Sequence, residues 1–250
     1  MLRLFGSKKP RRFEAPIQTA TRAYAIGDIH GRLDLLTDLV DEIREDSRRY
    51  DGTPELVFLG DYIDRGEDSS AVLDFLMQIA EDDAFSPVFL LGNHERMMLD
   101  FLMLPELGSR WLRYGGLQTL MSYGTPTHGS INEAGALEKI QVDLADALGP
   151  HRAFLEACKH WHMNGNVLFV HAAANPNRPA DAQSEDALLW GHPRFFEDPR
   201  QDGVWVVHGH TVVEEPGADQ GRISIDTGAY YSNRLTAVRL DGGEAVFLSA

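Results

Sequence analysis

Short apolar runs alternate, over the first hundred residues, with segments in which apolar residues recur at helical spacing. Residues 24–26, 56–59 and 88–91 are continuous apolar runs, which are typical of strands buried on both faces. Between these runs, apolar residues recur three and four positions apart over residues 33–43 and 72–79, as on one face of an amphipathic helix. The pattern predicts the order β-α-β-α-β, with a sheet flanked by helices.

The pattern changes in the rest of the chain. Residues 94–163 carry no strand-like run and are predicted to be helical or irregular. Strand-like segments return afterwards, at residues 167–170, 204–207, 223–226, 235–240 and 245–248. The pair Gly242-Gly243 separates the last two and predicts an antiparallel hairpin. The sequence therefore predicts an α/β fold with two sheets, helices outside them and a helical insertion in the middle.

The length of 250 residues favours one large domain or two small ones. We predict a single domain over residues 21–250, with a helical, cap-like insertion at about residues 98–163. Residues 1–20 are expected to form a flexible tail, in which residues 8–12 carry a cluster of basic side chains. Solvation of this tail is the simplest interpretation, and weak contact with an anionic membrane surface is the alternative.

Charge and composition narrow the classes of function. The chain has 23 Lys and Arg against 38 Asp and Glu, a formal net charge of −15, which argues against a nucleic-acid partner and is compatible with cation binding. It has no apolar run of the length that crosses a membrane, and no apolar stretch follows the basic N-terminal residues as in a secretory signal. The single cysteine, Cys158, fits a reducing compartment. We expect a cytoplasmic protein without a transmembrane segment.

Chemistry-bearing residues follow five of the predicted strands. Each of these strands ends in Asp, Asn or His within a tight turn, in the segments Gly27-Asp28-Ile29-His30-Gly31, Gly60-Asp61-Tyr62-Ile63-Asp64-Arg65-Gly66, Gly92-Asn93-His94-Glu95, His171-Ala172-Ala173 and His208-Gly209-His210-Thr211. The carboxyl ends of strands meet at the ligand site of open α/β sheets, so we expect these side chains to lie together. Asp, Asn and His without cysteine suit manganese, iron or zinc.

These motifs carry a family resemblance. G-D-x-H-G, G-D-x-x-D-R-G and G-N-H-E, in this order, resemble the phosphoprotein phosphatase (PPP) family of metallophosphoesterases. Residues 226–229 and 234–237 are similar to its C-terminal strands, and residues 111–124 to its bacterial serine/threonine protein phosphatase branch. The resemblance spans about residues 24–248. It implies a four-layer α/β/β/α sandwich and a metal-dependent phosphomonoesterase that acts on phosphorylated proteins or peptides.

The resemblance also implies roles for individual residues. It assigns one metal ion to Asp28, His30 and Asp61, and a second to Asp61, Asn93, His171 and His210. Two divalent ions that share Asp61, with manganese expected and iron or zinc as alternatives, would supply a metal-bound hydroxide as the nucleophile. His94 would protonate the leaving group, and Asp64 would orient its ring and raise its pKa. Arg65 would bind the phosphate oxygens.

One segment departs from the family pattern. Where most relatives carry W-x-R, with an arginine that binds phosphate, this chain has Trp190-Gly191-His192. We predict that Arg194, two residues further on, replaces the missing arginine, and His192 is the alternative. The segment around Trp111 is expected to pack in the core or over the cleft.

Two other functions remain open at this point. The first is a dinucleoside polyphosphate hydrolase, for example one that cleaves diadenosine tetraphosphate, because similar motifs serve that reaction. The second is an inactive phosphoprotein-binding module, against which the complete set of ligand-type residues and His94 argue. Parallel assays on a phosphopeptide and on diadenosine tetraphosphate would separate the two enzymatic functions.

Overall fold

The computed structural model describes residues 12–126 and 133–250, in which two five-stranded sheets form the centre. The first sheet has the order β10-β9-β1-β2-β3, formed by β1 (Ala23–Ile26), β2 (Glu55–Phe58), β3 (Ser86–Phe89), β9 (Thr236–Asp241) and β10 (Glu244–Ser249). β1, β2 and β3 are parallel, whereas β9 is antiparallel to both β1 and β10. The predicted hairpin at Gly242-Gly243 is confirmed.

The second sheet has the order β4-β5-β6-β8-β7. Its strands are β4 (Trp161–Asn164), β5 (Val167–Val170), β6 (Trp205–His208), β7 (Gly217–Asp219) and β8 (Arg222–Ser224). β5, β6 and β8 are parallel, and the two outer strands are antiparallel to their neighbours. Each sheet therefore contributes three parallel strands, and the loops after these strands carry the motifs of the sequence.

Nine α-helices accompany the sheets in the described part of the chain. They are α1 (Leu33–Ser47), α2 (Ser69–Ala80), α3 (Asn93–Met103), α4 (Gly108–Trp111), α5 (Leu117–Ser122), α6 (Ala136–Ala147), α7 (Pro150–Glu156), α8 (Glu185–Trp190) and α9 (Ala229–Ser232). A π-helical turn, Leu112–Gly116, joins α4 to α5, and 3₁₀ turns lie at Pro105–Leu107 and Ala180–Ala182. Within the described residues, no helix is both long and apolar enough to cross a membrane.

The alternation of side chains along the strands produces the layers. In β1, Tyr24 and Ile26 pack among the helices on one face of the first sheet. Ala23 and Ala25 face the opposite way and share a buried cluster with residues of the second sheet such as Phe169. The other face of the second sheet packs against α8 and the loop after it. The predicted four-layer α/β/β/α sandwich is therefore confirmed.

Two strands have no counterpart in the sequence pattern. The prediction that residues up to 163 are helical or irregular is wrong for β4, which is an edge strand with only one hydrogen-bonded neighbour. Its residues His162 and Asn164 are polar and bond to the carboxylate of Glu55, so no apolar run marks it. The other edge strand, β7, is short and exposed. Edge strands bury less surface, and their sequence signal is correspondingly weak.

The segment before β1 is only partly described. Residues 1–11, with most of the basic cluster, and residues 127–132 of the predicted insertion lie outside the described residues. From Phe13 onwards the chain packs on the second sheet. The Phe13 ring contacts Trp205 at 5.0 Å, Ile17 is buried, and the Gln18 N–H donates to the Asn166 side chain at 2.7 Å. Residues 13–20, expected to be part of a flexible tail, are thus held by apolar burial and hydrogen bonds.

Candidate active site

The loops after the parallel strands of both sheets meet at one place. Within the first sheet, the His30 N–H donates to the Asp61 carbonyl at 2.9 Å. Between the sheets, the His210 N–H donates to the Asp28 carboxylate at 3.0 Å. All four residues belong to the predicted ligand set. The structure thus brings these side chains together at the strand ends, as expected.

Two glycines permit this close approach. A Cβ atom on Gly209 would lie 2.0 Å from the Asp28 carboxylate, and one on Gly92 would lie 2.2 Å from the Asp61 carboxylate. Any side chain at either position would displace a candidate ligand. These two glycines are therefore required by space.

The backbone of the site is strained. Among the described residues, seven that are not glycine have a positive φ, and five of them lie in the site: His30, Asp61, Asp64, Arg65 and His210. Each such residue costs about 1–3 kcal/mol and persists only where the surroundings hold it in place. The concentration of strain here is typical of a functional site.

Two buried histidines present one nitrogen each to the centre of the site. The Nδ1 of His30 bonds the Ile63 carbonyl at 2.8 Å, and that of His171 bonds the Leu59 carbonyl at 3.0 Å. A carbonyl only accepts, so each Nδ1 carries the hydrogen and each Nε2 keeps its lone pair. Burial lowers the pKa of His30 to about 3 and that of His171 to about 4, which keeps both rings neutral. Neutral imidazoles oriented in this way are suited to bind a metal ion.

Asp61 lies between the two halves of the site. Its carboxylate oxygens are 3.5 Å from Nε2 of His30 and 3.4 Å from Nε2 of His171. The Asn93 Oδ1 is 2.8 Å from Nε2 of His171, so two acceptor atoms face each other, as ligands do around a cation. Two groups with ligand atoms within 4.8 Å of one another share Asp61, namely His30, Asp61 and His94, and Asp61, His171 and His210. The donor set fits two divalent cations, although the first group has His94 where the resemblance implies Asp28.

Asp28 belongs to a second cluster of carboxylates. Burial raises its pKa well above the usual range, and the nearby charges of Asp226 and Asp61 raise it further. Burial also raises the pKa of Asp226 to about 6. A divalent cation would offset the repulsion among three buried carboxylates. Asp226 was not among the predicted site residues, although it is the last residue of the strand-like segment 223–226.

His94 is held by a chain of hydrogen bonds that reaches into the helical insertion. Its Nδ1 bonds the Asp64 carboxylate at 2.6 Å. That carboxylate also accepts from Nε1 of Trp111 at 2.9 Å and from the Thr119 hydroxyl at 2.6 Å. Burial opposes protonation of His94, but the charges of Asp61 and Asp64 outweigh it and raise its pKa. Trp111 is fully buried, which agrees with the prediction that its segment packs in the core or over the cleft. The hydrogen bonds from Trp111 and Thr119 to Asp64 were not predicted.

Glu95 ties two of the ligand loops together. Its carboxylate accepts hydrogen bonds from the N–H groups of Asp61 and Tyr62 at 2.8 Å, Gly92 at 2.9 Å and Ile63 at 3.2 Å. Burial, with the charge of Asp61, raises its pKa to about 8. Glu95 therefore shapes the turns that carry Asp61 and Asn93.

Arg65 lies at the mouth of the site. Its guanidinium donates to Nε2 of His30 at 3.0 Å and to Nε2 of His94 at 3.1 Å, and it stacks on the Tyr230 ring at 4.8 Å. Each Nε2 has one lone pair, so a cation bound to His30 and this hydrogen bond exclude each other. An arginine beside His94 suits the predicted phosphate contact.

The structure places Arg194 on the surface. Its side chain is 59% exposed and forms an ion pair with Asp198, with Nε and Oδ2 at 2.8 Å. Its backbone N–H donates to Nδ1 of His192 at 3.3 Å. A role in phosphate binding for Arg194 would require this ion pair to open, and it stays a prediction, as does the alternative His192.

Comparison with known proteins identifies the family. The profile of the calcineurin-like phosphoesterases matches residues 21–222. The bis(5'-nucleosyl)-tetraphosphatase PrpE (asymmetrical) of Oceanobacillus iheyensis is 26% identical over 243 residues, covering 90% of this chain and 91% of that protein. The symmetrical bis(5'-nucleosyl)-tetraphosphatase of Coxiella burnetii is 25% identical over 278 residues and covers 92% of each chain.

The fold is also that of a solved phosphatase. The cold-active protein-tyrosine phosphatase of a Shewanella species superposes with a TM-score of 0.59 at 18% identity, over 91% of this chain and 77% of that one. At this identity the likeness concerns the fold. The match of the family profile to most of the chain, on the site described above, shows that the protein belongs to the calcineurin-like phosphoesterase family.

Proposed function

We propose that the protein is a metal-dependent hydrolase of dinucleoside tetraphosphates, such as diadenosine tetraphosphate. The geometry that carries the proposal is the pair of candidate metal groups that share Asp61, the first of which includes His94, with Arg65 next to His94. This arrangement suits displacement at phosphorus. The substrate class is supported by the tetraphosphatases that resemble this chain over about nine-tenths of both lengths. The function first expected from the motifs, a serine/threonine protein phosphatase, becomes the second candidate.

In this mechanism each side chain has a distinct task. Divalent ions held by the Asp, Asn and His ligands would supply Lewis-acid activation of water and of the phosphoryl group. Arg65 would bind the phosphoryl oxygens and compensate the charge that develops there. His94 would donate a proton from Nε2 to the leaving oxygen, while Asp64 holds the other ring nitrogen.

One observation favours the second candidate. His94 is anchored so that Nε2 faces the mouth of the site, which is the arrangement needed to protonate a poor leaving group. The alkoxide of serine or threonine is such a group. A nucleotide leaves as a phosphate anion, which needs less help from an acid.

Parallel kinetics separate the two candidates. We would incubate the protein with Mn²⁺, the ion we expect, and measure kcat/KM on diadenosine tetraphosphate and on phosphoserine and phosphothreonine peptides. Our proposal expects kcat/KM to be at least about tenfold higher for the tetraphosphate. Chromatography of the nucleotide products then shows which phosphoanhydride bond breaks. Turnover of the peptides without turnover of the tetraphosphate would reject the proposal in favour of the protein phosphatase.

A further inference from the structure

A cavity opens directly beside the candidate active site. It has a volume of about 400 Å³ and is lined by Arg65, Arg113, Tyr114, Gly115, Gln118 and Tyr230. Arg65 belongs both to this cavity and to the site, where it bonds His30 and His94. A ligand whose phosphate lies at Arg65 would therefore extend into the cavity.

Two tyrosines give this cavity an exposed aromatic surface. Tyr114 is 54% exposed and Tyr230 is 38% exposed, whereas most other large aromatic side chains in the described residues are buried or half-buried. The Tyr230 ring stands 5.5 Å from the His30 ring and under the guanidinium of Arg65. Aromatic faces beside a phosphate site are suited to stack on a planar ring of the substrate.

The backbone holds Tyr114 at this position. The next residue, Gly115, has a φ of 118°, and its carbonyl accepts the Arg65 N–H at 3.3 Å. A Cβ on Gly115 would lie 2.6 Å from the Arg65 nitrogen. The π-helical turn of the insertion can therefore touch the loop after β2 only because residue 115 is glycine.

The charge of the cavity selects an anionic ligand. Its lining, as far as the structure describes it, contains two arginines and no carboxylate, in a chain with a net charge of −15. A neighbouring cavity of about 600 Å³ carries two carboxylates, Glu214 and Glu215, together with Arg234. Arg113 would add a second positive group to that of Arg65, which suits a ligand with more than one phosphate.

We propose that this cavity is a nucleotide subsite, in which Tyr114 and Tyr230 receive the nucleobase and Arg113 contacts a phosphate other than the one attacked. The inference rests on the proposed function, because it supplies the part of the site that recognises a nucleoside. The cap-like insertion, through Arg113 and Tyr114, thereby takes part in the choice of substrate.

Calorimetric titration of the Mn²⁺-loaded protein with ADP tests the proposal. Tyr114→Ala and Tyr230→Ala should each raise the Kd for ADP about tenfold, the size expected for loss of one stacking contact, whereas Tyr114→Phe and Tyr230→Phe should keep the affinity. Inorganic phosphate, which has no base, should bind to these variants as it binds to the unchanged protein.

Tyr50→Ala is the matched control. Tyr50 is also 38% exposed and also lies against arginines, Arg22 at 4.3 Å and Arg239 at 4.9 Å, but it does not line the cavity. Its replacement should leave ADP binding and turnover of diadenosine tetraphosphate unchanged.

Three outcomes would overturn the inference. These are no binding of ADP to the unchanged protein, an affinity for ADP in both alanine variants that equals that of the unchanged protein, or an equal loss of affinity for ADP and inorganic phosphate. If the alanine variants weaken a phosphotyrosine peptide and not ADP, the cavity serves peptides instead. Failure of the proposed function is seen separately, as absent turnover of diadenosine tetraphosphate by the unchanged protein.

Discussion

Replacing Trp111 tests whether the helical insertion positions the catalytic histidine. Trp111→Phe keeps an aromatic ring in the core but removes the Nε1–H that bonds both oxygens of Asp64, at 2.9 and 3.1 Å. A hydrogen bond to a charged group contributes about 1.5–3 kcal/mol. The smaller ring adds about 1 kcal/mol for the space it leaves. We therefore expect a loss of about 2.5–4 kcal/mol in the free energy of unfolding.

The kinetic consequence follows from the looser Asp64. His94 remains bonded to it at 2.6 Å, as does Thr119, so the pair should persist with a less defined orientation. We expect kcat to fall about tenfold with KM little changed, and to fall more for alkyl phosphates than for aryl phosphates, because alkoxides need protonation. Guanidinium unfolding and steady-state kinetics on both classes of substrate measure these effects.

Trp205→Phe is the matched control for this experiment. Its Nε1–H also makes a hydrogen bond of 2.9 Å, but to the backbone carbonyl of Ala15, on the second sheet and outside the hydrogen bonds of His94. A bond between neutral groups contributes about 0.5–1.5 kcal/mol, so a smaller stability loss and unchanged kinetics are expected. If Trp111→Phe matches this control in both stability and kcat, the proposed link between the insertion and His94 is refuted.

Four further predictions concern the site. Chelation should abolish turnover of p-nitrophenyl phosphate and Mn²⁺ should restore it, because the proposed ligands hold the catalytic ions; full activity with no metal by atomic absorption would contradict those ligands. His94→Asn should lower kcat about 10²–10⁴-fold on alkyl phosphates and less on nucleotide or aryl leaving groups, with metal content unchanged; an equal loss on all substrates would remove the general-acid role. If Arg194 leaves Asp198 to bind phosphate, Arg194→Ala should lower kcat/KM by about tenfold or more, which corresponds to about 1.4 kcal/mol. If Arg194→Ala leaves kcat/KM unchanged and His192→Ala lowers it, the role belongs to His192. Burial lowers the pKa of His208 to about 4, below the ordinary 6.5, so the stability that its neutral ring contributes is present above pH 6.5 and is lost as the pH falls towards 4. This loss amounts to about 3 kcal/mol in the free energy of unfolding. Denaturant titrations at a series of pH values measure it, and in His208→Gln the free energy of unfolding should depend less on pH between 6.5 and 4.

Much of the architecture could be predicted from local pattern. β1, β2 and β5 lie at the centre of their sheets or close to it, and strands buried on both faces need continuous apolar residues. The convergence of Asp28, Asp61 and His171 could be predicted for a related reason. A strand ends where its polar residues begin, and the ends of parallel strands share one edge of the sheet.

The supporting contacts of the site could not be predicted in this way. Trp111 and Thr119 are 47 and 55 residues from Asp64, and nothing in their own neighbourhood marks them as its partners. The sequence predicts a core position for a large residue such as Trp111, and this is correct. It does not predict that the indole N–H donates a hydrogen bond to Asp64. The edge strands β4 and β7 were not predicted, because partly exposed strands lack the continuous apolar run by which a buried strand is recognised.

The sequence by itself determined most of the elements, their order and the residue types at the strand ends, since these depend on periodicity and on turn chemistry within a few positions. Only the tertiary structure decided which loops touch. The contact between Gly115 and Arg65, and the meeting of Tyr114 with Tyr230 around one cavity, arise when the insertion and α9 pack against the same strand-end loops. Such contacts depend on how distant segments are placed relative to one another. Burial of the whole core determines this placement, and no local sequence pattern predicts it.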